Sequence, residues 1–155
     1  MKAVDRWFSE YGESHQNPTN KAIHWICVPA ITACVIALFW DLPRPEWMRQ
    51  FGWLNWGTVV VIASLLYYLR LSVTLALGMS LATGLIITGI IAYEQLHLTP
   101  VYQLALGVFV LAWIGQFIGH SIEGKKPSFF KDIQFLLIGP IWLMGFIYRR
   151  LGIPY

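Results

Sequence analysis

Charged residues are missing from five stretches of this 155-residue chain: Ala22 to Trp40, Phe51 to Leu69, Leu71 to Tyr93, Gln95 to Ile122 and Ile133 to Tyr148. A hydrocarbon layer of roughly 30 Å wants about 20 helical residues at about 1.5 Å rise each. The first and third stretches meet that length. The fourth is trimmed by the turn signal Leu98-Thr99-Pro100, which leaves Val101 to Gly119 as the helix. The second, best started at Leu54 or Asn55, is short, and the fifth contains Gly139-Pro140. Each of those two is expected to tilt little, to end among headgroups or to be partly buried in protein. The fold expected is an all-α polytopic integral membrane bundle of about five spans, with four as the fallback, in a single membrane-embedded domain over residues 1–155.

Composition agrees with that reading and excludes others. Hydrophobic residues make up 57% and charged residues 12%, against roughly 45–50% and about 25% in soluble domains. The net charge of +3 comes from 11 Lys+Arg and 8 Asp+Glu scattered between apolar runs. A nucleic-acid surface would gather its basic residues on one stripe, so no nucleic-acid partner is expected. Cys27 and Cys34, seven residues apart inside the first apolar run, are read as packing residues, because a helix directs both thiols outward. No signal peptide is read, since some twenty polar and amphipathic residues precede the first run and no small-residue cleavage site closes it.

Ahead of the spans, Val4, Trp7, Phe8 and Tyr11 recur at helical spacing, and Lys2, Asp5, Arg6, Glu10 and Glu13 take the other faces. This predicts an N-terminal interfacial amphipathic helix. Trp40, Trp47, Trp53, Trp56, Tyr67, Tyr68, Tyr102 and Tyr148 fall near span ends and are expected as headgroup anchors. With five spans the N-terminal side collects Lys2, Arg6, Lys21, Arg70, Lys125, Lys126 and Lys131, and the other side Arg44, Arg49, Arg149 and Arg150. That bias puts the N-terminus in the cytoplasm.

The residues that do not belong in lipid carry the chemistry. His24 sits about one turn inside the first span and His120 ends the fourth, just before Glu123. His15, His24, His120 and Glu123 thereby share one membrane face, and His97 falls on the other. Tyr11, Asn20 and Gln116 each precede a histidine by four residues, and Glu123 follows His120 by three, spacings that share a helix face. A metal-bound imidazole gives its second N–H to an oxygen acceptor, and Asn20, Gln116 and Glu123 can supply one. Ionisable groups at membrane depth are costly enough that function is their default explanation. His97 is read as a loop histidine and Glu94 as a solvated span end. Lys125 and Lys126 are read either as a membrane flank or as a cationic lip that attracts the carboxylate of an acidic lipid.

Two motifs in these segments resemble the Mpo1-like family, formerly a domain of unknown function. The first is Tyr11, His15, Asn17-Pro18, Asn20, His24 and Pro29; the second is Gln116-Phe117-Ile118-Gly119-His120 followed by Glu123, Lys125, Lys126 and Pro127. The resemblance runs through nearly the whole chain, although the central spans match only in hydrophobicity. It implies an Fe(II)-dependent, O2-consuming α-oxidation that converts a 2-hydroxy fatty acid to the acid one carbon shorter. It carries over His15, His24 and His120 as iron ligands, and Glu123 as either a ligand or a neighbour of one. Tyr11 is a candidate proton relay. Octahedral iron has room for such a site: substrate carboxylate and hydroxyl take two positions, O2 one, and three remain for protein.

Two other readings use the same residues. A zinc-dependent intramembrane lipid hydrolase would employ Glu123 as general base, and a non-enzymatic lipid-binding protein would use the histidines only as anchors. A haem site is disfavoured, because bis-imidazole ligation wants two histidines facing each other across the bundle. Membrane lipids are partners under every reading, and the sequence is silent on oligomeric state. Short loops and the absence of a targeting signal suit a bacterial inner membrane rather than the endoplasmic reticulum.

Overall fold

The computed structural model describes residues 3–124 and 129–155, with side chains described outside 125–134. Seven helices and no strands are found among them: α1 (Ala3–Gly12), α2 (Pro18–Trp40), α3 (Glu46–Arg49), α4 (Trp56–Leu71), α5 (Val73–Gln95), α6 (Val101–Glu123) and α7 (Phe129–Leu151). Three of them, α2, α5 and α6, are long and apolar enough to cross a membrane, and α4 is a shorter apolar helix. Their outward faces carry large apolar side chains: Ile26 on α2, Leu77, Leu81 and Leu85 on α5, and Leu111 on α6 are all more than three-fifths exposed. Water would penalise such a belt and hydrocarbon would not.

Local chemistry sets the helix ends. Asn17 caps α2, its side-chain oxygen accepting from the Thr19 N–H at 2.8 Å, and Pro18 takes the first helical position, where no N–H is needed. Asn55 starts α4 with a reciprocal pair: its side chain accepts from the Thr58 N–H, and the Thr58 hydroxyl accepts from the Asn55 N–H, both at 3.0 Å. Between α4 and α5 the break is the single residue Ser72, extended at φ −165°, which ends one helix and accepts from the Leu75 N–H to begin the next.

The closest pairing in the bundle is α2 against α6. Both thiols lie inside and free: Cys27 packs with Ile31 and Ala112, and Cys34 with Val61, Ile90 and Ala105. The expected N-terminal helix forms, but protein covers its apolar face. Val4, Phe8 and Tyr11 are buried in a cluster with Ile138, Ile141 and Trp142 of α7, with the Tyr11 and Trp142 rings 5.1 Å apart.

The path of α7 is informative. Its Leu137 carbonyl accepts the Tyr68 hydroxyl at 2.8 Å, and its Tyr148 hydroxyl donates to the Thr74 carbonyl at 2.8 Å. Tyr68 and Thr74 flank Ser72, at one end of the α4–α5 hairpin, yet Leu137 and Tyr148 are about 16 Å apart along their helix. The helix therefore packs against the joined ends of α4 and α5, with α1 packed on it. Among the described residues three long apolar helices and the shorter α4 bear out the expected all-α membrane bundle, and about five spans is compatible with them. Tyr68 and Tyr148, expected at the headgroups, are instead buried, because each phenol found a main-chain carbonyl between helices.

Candidate metal centre

Three imidazoles meet at the end of the bundle where α2 begins and α6 finishes. His15 comes from the link between α1 and α2, His24 from the second turn of α2, and His120 from the last turn of α6. One ring nitrogen from each falls within 4.8 Å of the other two. The rings are 4.2 to 5.3 Å apart between centroids and lie at 69° to 86° to one another, so they present edges rather than faces to a common centre. All three are buried, with His15 2%, His24 1% and His120 9% exposed.

Second-nitrogen contacts define which atom each ring offers. His15 Nδ1–H donates to the Tyr11 carbonyl at 2.6 Å, and His24 Nδ1–H donates to the Asn20 carbonyl at 2.9 Å. A carbonyl only accepts, so Nδ1 carries the proton and Nε2 keeps its lone pair. Those two Nε2 atoms are buried and receive no hydrogen bond. An unpaired buried acceptor costs about 1–3 kcal/mol, and the arrangement of lone pair inward with N–H fixed by an oxygen is the one metal-bound histidines adopt. The donor set thus fits a divalent ion of imidazole preference. Burial also pushes the His15 imidazole down to about 4, with the nearby His120 adding to the effect and the Tyr11 carbonyl opposing it. The ring is neutral at pH 7, as ligation requires.

The i−4 partners expected from sequence are present in a different form. Asn20 and Tyr11 hold their histidines by main-chain carbonyls, not by side chains; on α2 the His24 imidazole reaches the carbonyl one turn back without leaving a favourable rotamer. The Asn20 side chain, fully buried, instead donates to the Ser14 carbonyl at 3.1 Å and to Glu123 at 3.0 Å. The Tyr11 ring stacks on His15, 4.2 Å away and 9° from parallel. Gln116 is buried one turn before His120. Glu123 reaches the same end of the bundle but lies outside the cluster of converging ligand atoms among the described residues; its oxygens accept from the Gln16 and Asn17 N–H groups, each at 2.9 Å. Lys125 and Lys126 lie outside the described residues.

Away from the centre, His97 is exposed at φ 51° in the turn after α5, as read for a loop residue. Glu94 is exposed and accepts the Trp40 indole N–H at 3.2 Å. Sequence reasoning missed Trp142, whose ring lies 5.4 Å from that of His15. Nothing in the hydropathy of α7 signals that contact, since an indole in an apolar run reads as core or anchor alike.

Comparison with known proteins supports the same reading. The family model described as 2-hydroxy-palmitic acid dioxygenase Mpo1-like matches residues 1–151. The 2-hydroxy-palmitic acid dioxygenase MPO1 of Saccharomyces cerevisiae is 26% identical over 140 residues, covering 89% of this chain and 75% of the yeast protein. No solved structure matches. With the histidines of both motifs at one centre and a match that runs almost end to end, the chain belongs to the Mpo1-like family.

Proposed function

We propose that the protein is an Fe(II)-dependent dioxygenase that shortens 2-hydroxy fatty acids by one carbon, with His15, His24 and His120 holding the iron. The observation that carries this is the pair of buried, unpartnered Nε2 atoms on His15 and His24 beside His120, in a chain of a family whose yeast relative is named as a 2-hydroxy-palmitic acid dioxygenase. When bound, the iron would supply the site for O2 activation and for chelation of the substrate's carboxylate and 2-hydroxyl oxygens.

The chain's own residues do the rest. Tyr11 and Asn20 carbonyls fix the two imidazoles in one tautomer and orientation. The Tyr11 ring, stacked on His15 and itself edge-on to Phe135 at 5.1 Å, blocks rotation of that imidazole. Its hydroxyl is the candidate for moving a proton at the substrate. Trp142, Val28 and Ile138 line the same cluster and keep water scarce beneath the histidines. The apolar outer faces of α2 and α6 leave the acyl chain in the leaflet, and Lys125 and Lys126 are the candidate partners for its carboxylate. The histidine centre lies toward the N-terminus, and the bias of the basic residues supports a cytoplasmic orientation for that side.

The deciding experiment is anaerobic purification with metal quantification, followed by O2 uptake on 2-hydroxypalmitate. The expected result is about one iron per chain, uptake that depends on it, and loss of both in His120→Ala. Bound zinc with turnover that persists without O2 would establish lipid hydrolysis instead. Full tolerance of His15→Gln, His24→Gln and His120→Gln would leave only a lipid-binding protein.

A further inference from the structure

From the contacts of its carboxylate we infer that Glu123 is a clasp that sets the spacing of the three histidines, and not a ligand of the metal. This rests on the metal reading above. Two of the imidazoles come from a single short segment, His15 to His24, while the third belongs to α6, about a hundred residues later. Something must fix that segment to the end of α6. Glu123, one turn beyond His120, does so with both oxygens: Oε1 accepts from the Gln16 N–H at 2.9 Å, and Oε2 accepts from the Asn17 N–H at 2.9 Å and from Asn20 Nδ2 at 3.0 Å.

Each of the three donors is adjacent to a histidine. Gln16 follows His15 directly. Asn17 is the cap of the helix that carries His24. Asn20 receives the His24 Nδ1–H on its own carbonyl, so the Glu123–Asn20 bond bears on the orientation of that ring. Helix electrostatics favour the placement: a carboxylate is disfavoured at the C-terminal end of its own helix and favoured at the start of another, and Glu123 reaches from the end of α6 to the start of α2. Charge-assisted bonds from main-chain N–H groups are among the stronger neutral-to-ion contacts. To ligate a metal, the carboxylate would have to leave the Gln16 and Asn17 N–H groups, for which no other acceptor is shown among the described residues.

The test uses the full chain in detergent, purified metal-free and titrated anaerobically with Co(II), whose d–d absorption reports its ligands. Wild type is expected to take one equivalent. Glu123→Ala should bind 10- to 100-fold more weakly, the usual effect of removing a group that supports a ligand, yet reach the same band positions at saturation. Glu123→Gln, which keeps one acceptor oxygen, should fall between them. In the metal-free proteins, the Gln16 and Asn17 amides should exchange hydrogen faster in Glu123→Ala than in wild type. Unchanged Co(II) affinity in Glu123→Ala, or saturated bands displaced by loss of an oxygen ligand, would overturn the clasp. Where the alanine variant does not fold, the glutamine variant carries the same comparison. A wild type that binds no Co(II) would instead defeat the metal reading, and the exchange measurement, which needs no metal, would still decide whether Glu123 clamps the loop.

Discussion

Gly119, in the motif before His120, is required by packing. A Cβ at that position would collide with the Asn20 side-chain oxygen and sit 3.5 Å from His24 Cε1, and one at Gly115 would come within 2.6 Å of Cys27 Sγ. The two glycines, four apart, let α6 approach α2 closely, as small residues do between membrane helices. Gly119→Ala is expected to lower stability by about 1–3 kcal/mol through overpacking and to reduce bound metal, because it separates His120 from His24. Denaturant unfolding in detergent and metal analysis on the same sample would check both. A pH prediction follows from His15. Burial holds its pKa in the folded chain at about 4, below the 6.5 of a free imidazole, so the unfolded chain takes up the proton first as pH falls. Stability from this group is fully present above about 6.5 and is lost progressively down to about 4. Unfolding of the metal-free protein between pH 7 and 4 should show that slope, and His15→Gln should flatten it. The pairing of Tyr11 with His15 and of Asn20 with His24 was legible in the sequence as a four-residue spacing. That both act through carbonyls was not, since every residue has one and only rotamer and fold decide its use.

Among the elements, the start of α4 is the simplest to probe. Asn55→Ala removes the side-chain oxygen that accepts the Thr58 N–H, leaves the Asn55 N–H on the Thr58 hydroxyl, and should cost about 1 kcal/mol, read as a lower thermal midpoint with unchanged metal content, since α4 does not touch the histidines. Tyr68→Phe deletes the hydroxyl that the Leu137 carbonyl accepts and should cost a similar amount. Sequence periodicity located α1 and its apolar face correctly, yet could not say that α7 and not lipid would cover it. Amphipathicity shows which side must be buried and is indifferent to what buries it. The same indifference affects α7: a charge-free run is demanded equally by hydrocarbon and by a helix enclosed in protein, and the Tyr68 and Tyr148 contacts show that part of it packs on α4 and α5.

For the molecule as a whole, the course of α7 changes the charge arithmetic. If α7 stays at the end where α1 lies, Arg149 and Arg150 join Lys2, Arg6, Lys21, Arg70, Lys125, Lys126 and Lys131, leaving Arg44 and Arg49 opposite. Nine of the 11 basic residues then face one side, a steeper bias than the seven expected from five spans and a firmer basis for a cytoplasmic N-terminus. Single cysteines at Glu13, Arg70 and Arg150, in a background lacking Cys27 and Cys34, should all be labelled from the cytoplasmic side by an impermeant maleimide, and one at Arg44 from the other. Labelling of Arg150→Cys from the opposite side would support the fifth span.

Because the link before α2 supplies one imidazole, α2 the next and the last turn of α6 the third, the order of synthesis matters. While the ribosome is still delivering α4 and α5, the nascent chain has only two of the three, and neither has its clamp. A metal ion arriving at that stage would meet an incomplete set of imidazoles. If the three imidazoles hold a metal as proposed, drawing the last of them from so late in translation would postpone loading until the polypeptide has emerged and the bundle can close around it.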